Sequence, residues 1–402
     1  MPALFDATLS GMRLAFNAMM SSALPFKRLS FFYALYFALL GCIAPYWGLF
    51  LQSRAFDPEQ IGQLMACFGL VRILAPNLWA YWSRYFRSPM QMVRTAGVLT
   101  MLCFSLIWWA DSFWTMAAVM ILYGFFWAAM LPQYEAMTLQ HCGTQVEAYG
   151  QIRMWGSIGF VLVVLGAGYL FELVSVGWLP VVMLTLMALI GINSLTLPEA
   201  DASNRKHSAP GQFLNVLKSR PVQVFILMNI LLQISHGPYY TFFSIYLENH
   251  GYKPAQIGLL WSLGVMAEVF LFWKFHRVVN FFSWRTWCVL SLLITAVRWT
   301  LIGSLVDFWG WLILAQLGHA FSFAAMHAIS MRYIQHLFPQ QLQARAQALY
   351  SSVGFGIGGA IGAWVSGSLW QLWGGSQVFF LATLAALLGA LVAWKGLKAT
   401  EG

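Results

Sequence analysis

Apolar stretches long enough to cross a lipid bilayer follow one another along nearly the whole of this chain, and no other feature restricts its fold so severely. A helix needs about 20 apolar residues to span a hydrocarbon core roughly 30 Å thick. Twelve such stretches can be read, at 29–51, 59–82, 90–110, 113–139, 149–172, 177–197, 221–247, 255–278, 285–305, 309–335, 342–370 and 376–396. Within hydrocarbon each backbone N–H and C=O must be satisfied by protein, which leaves helices and closed barrels as the spanning structures. Barrel strands would alternate apolar and polar residues over about ten positions, and stretches such as 92–107 and 376–394 do not. The expected fold class is all-α and integral to the membrane. Only 9% of residues are charged and 60% are hydrophobic, whereas about a quarter of a soluble domain is charged.

An eight-residue phrase then divides the chain. DPEQIGQL at 57–64 returns as KPAQIGLL at 253–260, each copy opening an apolar stretch, so the chain reads as a duplicated half. The expected organisation is a lead at 1–28, a six-helix bundle at 29–197, a linker at 198–220 and a second six-helix bundle at 221–402. The linker follows from PEADASNRKHSAPGQ at 198–212, polar and small where its surroundings are apolar. Two homologous bundles around a central site can expose that site to either side of a membrane by rocking, which points to a transporter.

Lys and Arg are enriched in cytoplasmic loops. With both termini placed inside, Lys27, Arg28, Arg84, Arg87, Arg94, Lys218, Arg220, Lys274, Arg277 and Arg285 all fall on the cytoplasmic side, and only Arg54 and Lys253 fall outside. The net charge of +9 is then a signature of topology, and no nucleic-acid partner is expected. Cys42, Cys67, Cys103, Cys142 and Cys288 lack paired spacing, so neither a disulfide framework nor a metal site is indicated. No cofactor is expected, and no constellation of an enzyme is present.

Charges inside the apolar stretches carry more information, because each costs at least about 2.5 kcal/mol at a helix centre and persists when paired or facing a cavity. Arg72, Glu135, Arg153, Glu268 and Arg298 are such residues. Three cations against two anions leave one positive charge, which a carboxylate ligand would neutralise; fixed ion pairs that lock helices are the alternative. His319 and His327 share the tenth stretch and exchange protons in the physiological range. Eight residues turn a regular helix by about 80°, so both can border one cavity. In the seventh stretch HGPYY, from His236, interrupts the helix. Gly354, Gly356, Gly358, Gly359 and Gly362 in the eleventh favour close helix packing.

Taken together these residues resemble a known family. YGQIRMWGSIGF at 149–160, with Glu135 eighteen residues before Arg153, is similar to the signature of proton-coupled sugar symporters of the major facilitator superfamily. HGPYYTFFSIYLENHGYKPAQIGLLWSLGVMAEV at 236–269 and HAFSFAAMHAISMRYI at 319–334 resemble its phenylpropionate permease-like branch more closely. The resemblance implies the major facilitator fold, a bacterial inner membrane, and a substrate site at Glu135 and Arg153. It also implies a coupling region at Glu268, Arg298 and His319. Two positions depart from the pattern. Sugar symporters carry a carboxylate three residues after the histidine of the tenth helix, where this chain has Ser322, and the loop after the second helix, NLWAYWSRYFRSP at 77–89, lacks its usual acid. Glu268 thereby becomes the preferred proton carrier.

The reading that follows is import of a small aromatic carboxylic acid with a proton. Arg153 or Arg72 would meet the carboxylate, Trp155 and Phe160 the ring, and Glu268, Arg298, His319 and His327 would serve coupling. Symport of a sugar or nucleoside is the second reading and proton-driven export the third. The partners are a small-molecule substrate, protons and the lipid bilayer; oligomeric state has no signal in the sequence.

Overall fold

The computed structural model describes residues 24–143, 146–197 and 210–398. The expected lead at 1–28 and linker at 198–220 therefore lie largely outside the described residues. Helices α1 (Phe26–Ser53), α2 (Pro58–Trp82), α3 (Pro89–Ser105), α4 (Phe113–Cys142), α5 (Val146–Leu173) and α6 (Leu179–Leu195) form the first half. The second half begins with α7, which is broken into Arg220–Ser235 and Gly237–Asn249. It continues with α8 (Pro254–Val278), α9 (Trp284–Ser304), α10 (Trp309–Leu337), α11 (Gln340–Trp373) and α12 (Gly375–Gly396). A short helix, Pro210–Leu217, precedes α7. No strand occurs among the described residues, and each expected stretch is found as a helix.

One boundary shifts, and the interruption expected in the seventh stretch is found. The first helix begins at Phe26, so Lys27 and Arg28 occupy its first turn instead of preceding it. Arg28 Nη1 donates to the Thr196 carbonyl oxygen at 2.8 Å, and Arg94 donates to Ser194 and Leu197 at 3.1 Å each. Both guanidinium groups thus satisfy carbonyls that the C-terminus of α6 leaves without helical partners. The seventh stretch is one continuous run in sequence but two helices in space, because Pro238 offers no N–H to the preceding turn and its ring clashes there.

The repeated phrase has a structural meaning in each half. Asp57 caps α2 by accepting from the Gln60 N–H at 2.9 Å, while Gln60 accepts from the Asp57 N–H at 3.2 Å. At the second copy Gln256 accepts from the Lys253 N–H at 2.9 Å, so the Gln of the phrase is what both copies use. The glycine of the phrase marks where the halves cross. A Cβ on Gly62 would lie 2.7 Å from the Ala363 carbonyl oxygen and 2.7 Å from Gly367 Cα of α11, and one on Gly258 would lie 2.7 Å from the Val164 carbonyl oxygen of α5. Helix α2 therefore packs on α11 and α8 on α5, two equivalent crossings joined by the third contact of α1 with α7.

These crossings lie near the end of the bundle that carries the 53–58, 173–179, 249–254 and 373–375 connections. Backbones meet there with almost no side chain between them, which excludes water and seals that end. Toward the other end, which carries the 82–89, 142–146 and 278–284 connections, the charged residues of the spans are reached by solvent: the side chains of Glu135, Arg153 and Glu268 are 35%, 33% and 19% exposed. Charged side chains left exposed between halves that are closed at one end indicate a crevice open at the other.

Gly367→Leu should wedge the α2–α11 crossing apart, since inserting bulk into a close-packed contact costs about 1–3 kcal/mol. Uptake by cells expressing it is expected to fall at least about tenfold, whereas Gly166→Leu, where the added Cβ meets nothing within 4 Å, should transport normally. Equal activity of the two variants would show that the seal does not depend on glycine.

Candidate functional site

Depth in the membrane is set by hairpin arithmetic. Glu135 and Arg153 are equidistant from the turn between α4 and α5, and Glu268 and Arg298 from Ser283 between α8 and α9. Antiparallel helices rise equally on both sides of a turn, so within each half the two charges come to one level.

In the first half, Arg153 Nε lies 3.6 Å from Glu135 Oε1. The Arg153 guanidinium also sits 4.0 Å from the centre of the Phe37 ring and 5.5 Å from that of Tyr33. Rings from α1 hold this cation by their negative faces, which fixes its position without neutralising it. In the second half, His319 Nε2 lies 3.6 Å from Glu268 Oε2. Arg153 and Glu268 stand eleven and ten residues along α5 and α8 from the crossing of Val164 and Gly258, so the α5 cation comes to the level of an acid in each half.

Arg298 is buried behind this pair, 1% exposed. Its Nε donates to the Ala315 carbonyl oxygen at 2.7 Å and its Nη1 to Ser322 Oγ. The guanidinium carbon lies 5.1 Å from the Tyr239 ring centre and 4.5 Å from that of Trp299. Ser322 stands where the resembled symporters carry a carboxylate, so here the cation has a neutral partner instead of a salt bridge. Tyr239 continues the network, its hydroxyl donating to Gln316 Oε1 at 2.8 Å and its ring stacking at 4.6 Å on Trp261.

Arg72 is different from all of these. It is exposed although it lies in the middle of α2, and no described carboxylate stands within ion-pairing distance of it. Phe68, one turn before it, lies 5.4 Å from the Tyr123 ring of α4, and α2 also contacts α1, which carries Tyr36, and the second segment of α7, which carries Tyr240, so Arg72 stands where the halves meet.

The remaining expected residues separate. His319 and His327 stack on opposite sides of Phe323, with ring centres 5.7 and 6.3 Å from it. The drift of about 80° expected of a regular helix is removed by a π-helical segment, Ala320–Ala325, whose wider turn realigns the three rings. His327 nevertheless meets Tyr350, Nδ1 to hydroxyl 3.3 Å, and Phe272. It is not brought to Glu268. Phe160 lies two turns from Arg153 on the same stripe of α5 and is buried, 6% exposed. Trp155 is about 200° around the helix from Arg153 and shares its stripe with Leu162 and Tyr169, which are 64% and 63% exposed. That stripe lies away from the faces of α5 that meet α1 and α8, so a ring contact from Trp155 to cargo beside Arg153 does not fit this geometry.

Residues that sequence reading passed over complete the lining: Tyr33 and Phe37 under Arg153, and Tyr239, Trp261 and Gln316 beside His319. Aromatic residues are so frequent in this chain, with 20 Trp, 15 Tyr and 32 Phe, that none stands out by type. Tyr239 alone had a local signal, its place immediately after the helix break at His236–Pro238.

Residues 26–382 match the sequence profile of the MFS_1 like family. A protein of Escherichia coli (strain K12) named probable 3-phenylpropionic acid transporter is 30% identical over 366 residues, covering 88% of this chain and 93% of that protein. The maltose permease of Geobacillus stearothermophilus is 26% identical over 90% of this chain and 92% of the permease. Among solved structures, that of the nucleoside transporter NupG is similar in fold, with a TM-score of 0.81, 16% identity, and coverage of 92% of this chain and 98% of that one.

Arg153→Lys keeps the charge but removes the planar group that spans Glu135 and the Phe37 ring. Uptake by a normally expressed variant is expected to fall at least about tenfold; undiminished uptake would reduce Arg153 to a point charge.

Proposed function

This chain belongs to the MFS_1 like family and is a secondary transporter, and from that premise we propose that it imports a small aromatic carboxylic acid, such as phenylpropionate, together with a proton. The observation that carries the proposal is the arrangement of charge. The five residues comprise three cations and two acids, one excess positive charge when all are ionised, in a crevice walled by aromatic rings. A monocarboxylate with an aryl group complements both features. The relative named for 3-phenylpropionic acid transport supports the same substrate class.

Coupling is assigned to Glu268 with His319. A carboxyl group beside an imidazole, in a site the two halves alternately expose, can take a proton on one side and release it on the other. When Glu268 is protonated its negative charge is lost, the excess positive charge at the site grows, and an anion binds more favourably. Cargo and proton then load together. Arg298 maintains a positive field behind the pair and favours return of the proton once the cargo leaves. The basic residues at the open end support a reading with that end and both termini on the cytoplasmic side of a bacterial inner membrane. The structure would then be inward-facing.

Symport of a sugar is the second reading, and the similarity to maltose permease favours it. Uptake of labelled phenylpropionate, maltose and a nucleoside into proteoliposomes, with and without a proton gradient, separates the readings. Accumulation of phenylpropionate alone, dependent on the gradient, is expected. Equal uptake without a gradient would remove the proton from the mechanism.

Glu268→Gln imitates the protonated state permanently. It should abolish gradient-driven accumulation while leaving exchange of labelled for unlabelled cargo, because exchange does not require release of the proton. Retained accumulation would transfer the carrier role to His319.

A further inference from the structure

Three cations, Arg153, Arg298 and Arg72, are candidates for the cargo's carboxylate. Arg153 already has Glu135 at 3.6 Å. Arg298 is enclosed, with two of its nitrogens engaged by Ala315 and Ser322. Arg72 alone among the five is both exposed to the crevice and without a described carboxylate partner. Of the two cations without a described acid, Arg298 is enclosed and Arg72 is the one open to an anion.

The groups around it are donors without acceptors. The hydroxyl of Tyr123 is fully buried and has no hydrogen-bond partner. None of the described hydrogen bonds uses the hydroxyls of Tyr36 or Tyr240. A buried hydroxyl left unpaired is costly and marks a place where a ligand or water completes the network. An aromatic wall adjoins this position. Phe68, one helical turn from Arg72, lies 5.4 Å from the Tyr123 ring and 6.2 Å from that of Trp127, and Trp127 stacks on Tyr36 at 5.1 Å.

The duplication supplies an independent argument. The offset that aligns the repeated phrase carries Arg72 onto Glu268 and Tyr123 onto His319. One half thus sets a cation beside a phenol where the other sets an acid beside an imidazole. Equivalent positions of the two halves would receive opposite charges, an anion in the first and a proton in the second.

We infer that the carboxylate of the cargo is seated on Arg72, with the hydroxyls of Tyr36 and Tyr123 from the first half and Tyr240 from the second as further donors, and that Arg153 is not its partner. This assignment rests on the reading of the cargo as a carboxylic acid. Because Tyr240 belongs to the opposite half, a seated carboxylate draws the halves together at the crevice and couples binding to closure.

The test measures binding to the purified full-length protein by tryptophan fluorescence and thermal shift, using acetate, benzoate, 3-phenylpropionate and the neutral 3-phenylpropanol. Wild type should prefer 3-phenylpropionate to 3-phenylpropanol. Arg72→Gln should lose that preference, weakening the acid about 10- to 100-fold, as expected for loss of hydrogen bonds to a charged group, while the alcohol is little changed. Tyr123→Phe should weaken the acid several-fold, and it guards against misreading a poorly folded Arg72 variant. Arg153→Gln should weaken both ligands and keep the preference. If Arg72→Gln and Tyr123→Phe retain the preference and Arg153→Gln loses it, the seat is on Arg153 and the inference is wrong. If wild type binds benzoate or acetate through Arg72 but not 3-phenylpropionate, the seat stands and the proposed cargo falls. Binding of no carboxylate by wild type overturns both.

Discussion

An ionised side chain in hydrocarbon survives only where another charge, an aromatic face or water compensates it, and this single requirement organises the molecule. Five ionisable groups lie well inside the spans, and the fold gives each a different compensation. Glu135 and Arg153 have one another, with the Phe37 and Tyr33 rings beneath the cation. Glu268 has an imidazole. Arg298 has a carbonyl, a hydroxyl and two aromatic faces but no acid among the described contacts. Arg72 is exposed and has no acid beside it among the described residues. The incompleteness of this compensation is what leaves room for a ligand, because a fully paired interior would lock the helices together and bind nothing.

The same requirement explains why the two halves meet through small residues. A polar seam would have to be broken at a cost of desolvation in every cycle, whereas backbone contacts such as Gly62 with Gly367 and Gly258 with Val164 part without leaving a buried charge unpaired. The irregular backbone is concentrated in the second half. Helix α7 breaks at His236, and α10 and α11 each contain a π-helical segment, Ala320–Ala325 and Ser352–Gly358. Positions related to these segments by the repeat offset, in α4 and α5, are regular helix. The half that carries the acid–imidazole pair is thus the one whose helices depart from regularity, in keeping with the concentration of π-helical turns at functional sites.

Legibility followed the physics of each feature. The spans were readable because hydrocarbon demands about 20 apolar residues regardless of what packs beside them, and the observed helices agree with the expected stretches to within a few residues at their ends. The common depth of Glu135 and Arg153 was readable too, since a hairpin fixes it by counting from the turn. Facing was less so. Trp155 is two residues from Arg153 in sequence yet on another side of α5, and His327 required knowledge of a π-turn that no residue pattern announces. Tyr123 and Tyr36 were hidden among many aromatic residues; only their unpaired hydroxyls near a lone cation distinguish them.

The sequence by itself therefore determined the solvent of this protein, its helical class, its duplication and the identity of its buried charges, because these depend on composition and on periodicity along one chain. Which charges are paired was decided only by the tertiary structure. Pairing depends on the rotation of each helix about its own axis and on which helices of opposite halves cross. Those quantities are set by small-residue contacts between positions 94 and 305 residues apart, Gly258 with Val164 and Gly62 with Gly367, and nothing local to Arg72 reveals that it is an exposed cation with no acid beside it among the described residues.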